Sequence, residues 1–345
     1  MKTLVLGYHD VRKLLPMKDC IAVVGEAMQT LARGEAVLPL RQALRLPSKK
    51  GLLGMMPAFL DGDPQVLGIK VVSVFPGNHG TKYDSHQGAI QLFETANGRL
   101  LAIVDAGSIT AIRTAAASGV ASNLLAKKDI RRLTILGSGT QAGEHLEAML
   151  SVRDSIEEVR IWSRDYGNAL KFVKNKASKV VGSEVRMTAF LNPEDAVRGS
   201  ELICTVTAAK SPILKGSWLS EGAHINAVGA SVPGFRELDS EAVAKGELYV
   251  DRRQSAIEEA DDFRIPKSEG LIDDSHIKGE IGELLIGKIN GRTSEKEITI
   301  FKSLGLAIED LAAAQRVYAQ AVAQNVGTWV ELVGEREGHD AGEQV

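Results

Sequence analysis

Over the first hundred residues, short apolar runs alternate with turn-forming residues. From residue 131 onward the rhythm changes to apolar strand, helical segment, apolar strand. In the first region, residues 17–33 carry apolar positions at helical spacing and stop at Gly34, which predicts one amphipathic helix. Strands are predicted at 68–75 and 89–93, punctuated by Gly54, Asp61-Gly62, Asn78-His79-Gly80 and Asn97-Gly98. The stretch 93–104, centred on Asn97-Gly98, has the signature of a β-hairpin. A largely antiparallel sheet with one helix follows from this pattern.

Residues 109–127 are rich in Ala and contain Gly119, predicting a helix that packs closely and bridges two domains. Beyond it, strands are predicted at 133–136, 159–162 and 185–188, with helices at 141–151 and 166–179 between them. Further strands at 201–206, 224–228 and 247–251 continue the series, and this alternation implies a parallel sheet. Past Phe301 an Ala-rich helix runs to about Val326, and the polar tail 334–345 is expected to fray. The chain shows no internal repeat.

Composition narrows the function classes. At 345 residues the chain suits two average domains. A formal net charge of -3 excludes an electrostatically driven nucleic-acid binder, and 5% aromatic residues leave little for base stacking. Cys20 and Cys204 are far apart and the seven histidines are dispersed, which fits neither a disulfide framework nor a metal site. The N-terminus reaches His9 and Asp10 before an apolar signal core develops, and no run approaches the roughly 18 apolar residues of a membrane span. A reduced, soluble, cytoplasmic protein is expected.

The strongest local motif is Leu133-Thr-Ile-Leu-Gly137-Ser-Gly139-Thr140-Gln141-Ala142, a G-x-G-x-x-A turn between an apolar strand and a helix. Gly137 permits the tight turn, Gly139 lets the backbone approach a pyrophosphate, and Ala142 lets the helix lie close to the strand. The helix N-terminus adds unpaired N–H groups for the anion. At the end of the next strand a ribose-binding acid would mark an NAD site. Here Ser163 stands at the tip and Arg164 follows, a small donor and a cation suited to a 2′-phosphate. NADP(H) is preferred on this reading, and NAD(H) stays open because Asp165 lies one residue further on.

A wider set of segments accompanies this turn: Arg41, Met55-Met56-Pro57-Ala58, Ile69-Lys70, Ser85-His86-Gln87, Ile109-Thr-Ala-Ile-Arg113, residues 223–238 around Asn226-Ala-Val228-Gly229-Ala-Ser231, and residues 301–310 with Ser303 and Glu309-Asp310. In this order they resemble the ornithine cyclodeaminase/mu-crystallin family. The resemblance implies an α/β protein with two parts. An N-terminal α/β substrate-binding and dimerisation domain (1–112 plus 310–345) would join a Rossmann NAD(P)-binding domain (113–309) in a homodimer. It also implies hydride transfer between a nicotinamide and the α-carbon of an amino or imino acid. The family's carboxylate-binding positions fall on Arg41, Lys70 and Arg113. Cofactor contacts fall on Ser85, Arg113, Gly137, Gly139, Thr140, Gln141, Ala142, Ser163, Arg164, Thr205, Thr207, Asn226, Val228, Gly229 and Ser303.

An arginine fork suits an α-imino acid's carboxylate. Lys70 lies in an otherwise apolar strand, where burial would lower its pKa and fit it for proton transfer, while the strand alone equally allows a charge on a solvent face. His86 is the second proton-donor candidate. Ser231 is the third catalytic candidate, and it and Asn226 would face the nicotinamide and imine. Ornithine cyclodeaminases carry Asp at the position of Ser231 and Glu at that of Gly54, so two carboxylates that would handle a diamino acid are missing. The Ser pattern resembles ketimine reductases and Δ1-pyrroline-2-carboxylate reductases. The resemblance leaves open alanine or another amino-acid dehydrogenase, ornithine cyclodeaminase, and an NADPH-gated ligand-binding protein.

Overall fold

A computed structural model describes residues 2–47, 50–78, 81–177 and 185–332. The described residues form two eight-stranded sheets. The first runs in the order Thr328–Glu331, Lys2–Leu6, Leu100–Asp105, His86–Phe93, Val66–Val74, Leu52–Leu60, Ala36–Val37, with Gln42–Arg45 also paired to Leu52–Leu60. Lys2–Leu6 and Leu100–Asp105 run parallel, and the other pairs are antiparallel. The Asn97-Gly98 hairpin closes through Glu94 N donating to Arg99 O at 2.7 Å, with Gly98 at φ 77°.

Gly54 departs from the sequence expectation. It sits inside the strand Leu52–Leu60, opposite Ala43 and Val72, and does not end a strand. Residues 54, 56, 58 and 60 are all buried, so the period-2 pattern runs straight through the glycine. Pro57, which lacks an N–H, falls in the gap between the segments that pair with Gln42–Arg45 and Ala36–Val37. On the opposite face of this sheet Leu53, Met55, Phe59, Leu67, Ile69 and Val71 are half-exposed or exposed, an apolar surface left uncovered.

The second sheet is wholly parallel, in the order Arg186–Phe190, Glu158–Trp162, Arg132–Leu136, Leu202–Thr205, His224–Ala227, Thr299–Lys302, Glu247–Val250, Ile277–Glu280. Its first five strands in chain order lie 3-2-1-4-5, the Rossmann arrangement. The order reverses between Arg132–Leu136 and Leu202–Thr205, and the strand ends there form the crevice where such sheets bind ligands. Strands Thr299–Lys302 and Ile277–Glu280 were not expected from the sequence.

Helix Ala106–Leu125, capped by Asp105 accepting from Ser108 N, links the two sheets. It is buried on nearly every side, because Ala, Ser and Gly let neighbours approach. A Cβ on Gly119 would lie 2.9 Å from Ile21 of the helix Met17–Ala32. The division expected at 112/113 therefore falls within one continuous helix. After the last Rossmann strands the chain returns: helix Ala307–Gln324 packs on Leu52–Leu60, Val66–Val74 and His86–Phe93, and Thr328–Glu331 then adds an edge to the first sheet. The tail 334–345 and the His79-Gly80 turn lie outside the described residues. No helix among the described residues is long and apolar enough to cross a membrane.

Candidate active site

Lys70 occupies an inward position of Val66–Val74 and is 3% exposed. Helix Ala307–Gln324 crosses above it and brings Asp310, whose two carboxylate oxygens accept from Nζ at 3.0 and 2.9 Å. Arg113 reaches the same carboxylate from Ala106–Leu125: Nε donates to Asp310 Oδ1 at 2.8 Å and Nη1 to Glu309 Oε2 at 2.8 Å. Burial lowers the Lys70 pKa to about 8, with Asp310 only partly offsetting it and Arg113 adding to the fall. Burial also works against the Arg113 charge, but Asp310 and Glu309 outweigh it and raise its pKa. Glu309 is pushed up to about 8, first by burial and then, against the pull of Arg113, by Asp251 and Asp310. These groups form one coupled unit, two cations against two carboxyls, brought together from positions 70, 113, 309 and 310.

Arg41 lies at the edge of the same region, where the first domain meets the Rossmann sheet. Nε and Nη2 donate to the two oxygens of Glu259 at 3.0 and 2.6 Å, and Nη2 also donates to the carbonyl of Ser231 at 2.5 Å. The turn 304–306 connects this group to the buried one. Leu304 O faces Arg41, and Leu304 and Gly305 donate their N–H groups to buried Asp251. Gly305 lies against the guanidinium of Arg113, at φ 84°, where a Cβ would come within 2.6 Å of Nη1. All three expected cations are thus engaged by the protein's own carboxylates. Arg41 pairs with Glu259, Lys70 with Asp310, and Arg113 with Glu309 and Asp310. For Lys70 and Arg113 the pairing is physically required, since buried charges without a partner would be costly.

His86 begins its strand and is exposed, with Nδ1 3.0 Å from Ser85 Oγ. Surrounding protein and the charge of Lys70 both favour its neutral ring and lower its pKa. Asn226 lies on the strand His224–Ala227. It is fully buried, with Nδ2 donating to Ser122 Oγ at 2.9 Å beside Met149 and Cys204, while Oδ1 has no hydrogen-bond partner among the described residues. Both cysteines are buried and free.

The Gly-rich turn has the geometry a pyrophosphate needs. Gly137 adopts φ 136°, a conformation that favours glycine, and a Cβ there would lie 2.8 Å from the Val206 carbonyl. Gly139 is the N-cap of Thr140–Val152, and a Cβ on it would meet nothing within 4 Å. No side chain among the described residues caps this helix, so its first N–H groups are left for an anion. Thr140 is exposed, Gln141 half-buried and Ala142 fully buried. Gln141 Oε1 and Ser303 Oγ are buried without a hydrogen-bond partner among the described residues, as expected of groups that meet a ligand. A nicotinamide dinucleotide fits this donor set. At the next strand end Ser163 accepts from Ser138 Oγ at 3.0 Å, Arg164 is exposed, and Asp165 is turned back to accept from Gly167 N at 2.8 Å.

Glu237 falls within the segment 223–238. It is fully buried and accepts from Thr205 Oγ1, Thr207 N, Thr207 Oγ1 and Gly229 N at 2.6–2.8 Å. The hydroxyls of Thr205 and Thr207 are therefore committed to it, while Val228 N bonds Thr205 O. Asp262 holds Glu237 N and Leu238 N and pairs with buried Lys302 at 2.9 Å. Burial raises the Glu237 pKa. Sequence reasoning passed over Glu237, Asp251, Glu259, Asp262 and Lys302. Isolated acids and lysines carry no pattern until the fold collects them, and the one available signal was a charge inside an apolar run, as at Lys302.

A parallel 3-2-1-4-5 sheet with a glycine cradle, joined to a sheet that presents buried cations, defines a two-domain dinucleotide-binding α/β protein. Residues 1–325 match the ornithine cyclodeaminase/mu-crystallin family, and the chain belongs to it. It is 41% identical over 285 residues to the ketimine reductase mu-crystallin of Mus musculus, covering 83% of this chain and 85% of that protein. The solved Δ1-pyrroline-2-carboxylate reductase of Thermococcus litoralis, in complex with NADH and L-proline, superposes with a TM-score of 0.90 at 38% identity, covering 94% and 99% of the two chains. An archaeal alanine dehydrogenase dimer with bound NAD gives 0.89 at 35% identity, covering 96% and 100%.

Proposed function

We propose that this protein reduces a cyclic α-imino acid, Δ1-pyrroline-2-carboxylate or Δ1-piperideine-2-carboxylate, to L-proline or L-pipecolate at the expense of NAD(P)H. The observation that carries the reading is the convergence of Arg41, Lys70 and Arg113 on the turn 304–310, which follows the Rossmann strand Thr299–Lys302. The similarity to enzymes that act on such imines supports it.

Reduction of a C=N bond needs a hydride at carbon and a proton at nitrogen. The bound reduced nicotinamide supplies the hydride. Arg113 and Arg41 hold the substrate carboxylate, and the Lys70 ammonium delivers the proton. Near its pKa of about 8 that ammonium is a stronger acid than an ordinary lysine, while still mostly protonated at neutral pH. His86, near enough to feel Lys70, is the alternative route for the proton. Ser231 cannot act as a base near neutral pH, and Gly54 offers no side chain, so the reaction starts from an imine that is already cyclic. Positioning by the carboxylate clamp can supply roughly 7 to 11 kcal/mol.

NADP(H) is the preferred cofactor on the strength of Ser163 and exposed Arg164, with Asp165 occupied by Gly167. NAD(H), bound in both solved relatives, is the second choice. The uncovered apolar face of the first sheet supports a homodimer, and the two free buried cysteines suit a reducing cytoplasm. The partner is a small acid, with no nucleic acid. The test is consumption of NADPH by the purified protein with each cyclic imine and recovery of the L-amino acid. Absence of turnover on both imines contradicts the reading. Alanine dehydrogenase is the second reading, favoured by the archaeal relative, and it predicts NADH oxidation with pyruvate plus ammonia.

A further inference from the structure

The Arg41–Glu259 pair has the geometry that a substrate carboxylate would adopt. Two parallel N–H donors, Nε and Nη2, meet two carboxylate oxygens at 3.0 and 2.6 Å, the fork-to-fork arrangement of a bidentate arginine site. The pair is accessible, with side chains 22% and 21% exposed, unlike the sealed Lys70–Asp310 pair at 4% and 0%. It also bridges the domains, because Arg41 follows the first-domain strand Ala36–Val37 and Glu259 ends the Rossmann helix Arg253–Glu259. A cavity lies beside it, lined among others by Met56, Ser255, Gly305 and Ala307.

We infer that Glu259 is a built-in competitor for the carboxylate site, a specificity residue that occupies the Arg41 fork until a substrate carboxylate displaces it. The inference rests on the reading of Arg41 as a carboxylate-binding residue. An exchange of one carboxylate for another gains little from Arg41 alone, so a bare organic acid binds weakly. A ligand that also engages Arg113 wins the exchange. Glu259, being partly exposed, turns to water when displaced, whereas a sealed carboxylate would have nowhere to go.

The experiment compares the full-length parent with Glu259→Gln, a near-isosteric change at a half-exposed position where little stability is at stake. Binding of L-proline, of acetate and of uncharged L-prolinamide is measured by titration calorimetry in saturating NADP+, alongside KM and kcat for the imine. Removing the competitor should tighten L-proline and acetate by about fivefold, leave L-prolinamide unchanged, and lower KM with little change in kcat. Weaker L-proline binding or a raised KM would overturn the inference, because Glu259 would then be holding Arg41 in place for the substrate. Equal tightening of L-prolinamide would also overturn it. Tighter L-proline binding in a protein that reduces no imine would uphold the competition and sink only the proposed reaction.

Discussion

The dinucleotide turn at 137–142 and the cation cluster around Arg113 both suit anions, yet one offers backbone N–H groups and the other side-chain charges. In the turn, a glycine at φ 136° and an uncapped helix end do the recognition, and no formal charge has to be buried. In the cluster, Lys70, Arg113, Glu309 and Asp310 are nearly or fully buried and can exist only as a unit. The first design tolerates loss of any one side chain but not an added Cβ at Gly137. The second tolerates small changes of shape but not an unbalanced charge. The difference also decides what each site can do, since only the cluster holds a proton that moves near neutral pH.

The sharpest way to separate the two designs is to unbalance the cluster. Arg113→Met should lower stability by about 3–5 kcal/mol in urea unfolding, because two buried carboxyls lose their common partner. It should also abolish activity, and a loss below 1 kcal/mol would show that the charges are not coupled. Lys70→Met should reduce kcat by about 10²- to 10⁴-fold while cofactor affinity, read by fluorescence titration, stays within twofold. The pH dependence has a definite sign. On the proposed mechanism protonated Lys70 is the active form, so kcat should hold below pH 8 and fall above it. For stability the sign is reversed. The folded pKa of about 8 lies below the unfolded value of roughly 10.4, so the cost of the buried ammonium is fully present below pH 8 and relieved as pH rises from 8 to 10.4.

On the cradle side the effects are smaller and of another kind. Gly137→Ala should weaken cofactor binding and cost roughly 1–3 kcal/mol of stability, from φ strain and contact with the Val206 carbonyl. Imine KM at saturating cofactor should not change. Smallest of all, Arg164→Ala should raise the NADPH dissociation constant about fivefold and leave NADH unaltered, an effect suited to an exposed charge. Equal loss for both cofactors would remove Arg164 from phosphate recognition.

Legibility in the sequence followed the same divide. The cradle could be read directly, since its glycines, flanking strand and helix are contiguous, and so could the hairpin at Asn97-Gly98 and the helix Met17–Ala32. Gly54 was misjudged because a glycine inside a period-2 strand carries the same letter as one in a turn. The cluster was visible only in separate pieces, Lys70, Arg113 and Glu309-Asp310. That Asp310 joins Lys70 to Arg113 depends on a helix returning across roughly two hundred residues of chain, which no local pattern encodes. Asn226 entered through the family motif, and no local pattern shows that its amide also meets Ser122 of the bridging helix. Glu237 and Glu259 became legible only when the fold put strand ends and donors around them.

The central claim is that the buried cations serve a cyclic imino acid, and the most direct measurement is the ratio of kcat/KM for Δ1-pyrroline-2-carboxylate or Δ1-piperideine-2-carboxylate to that for pyruvate with ammonia. Both are taken with NADPH and with NADH. The account predicts a large preference for a cyclic imine, with NADPH the better donor. A preference for pyruvate plus ammonia, or equal and trace rates on both, would contradict it.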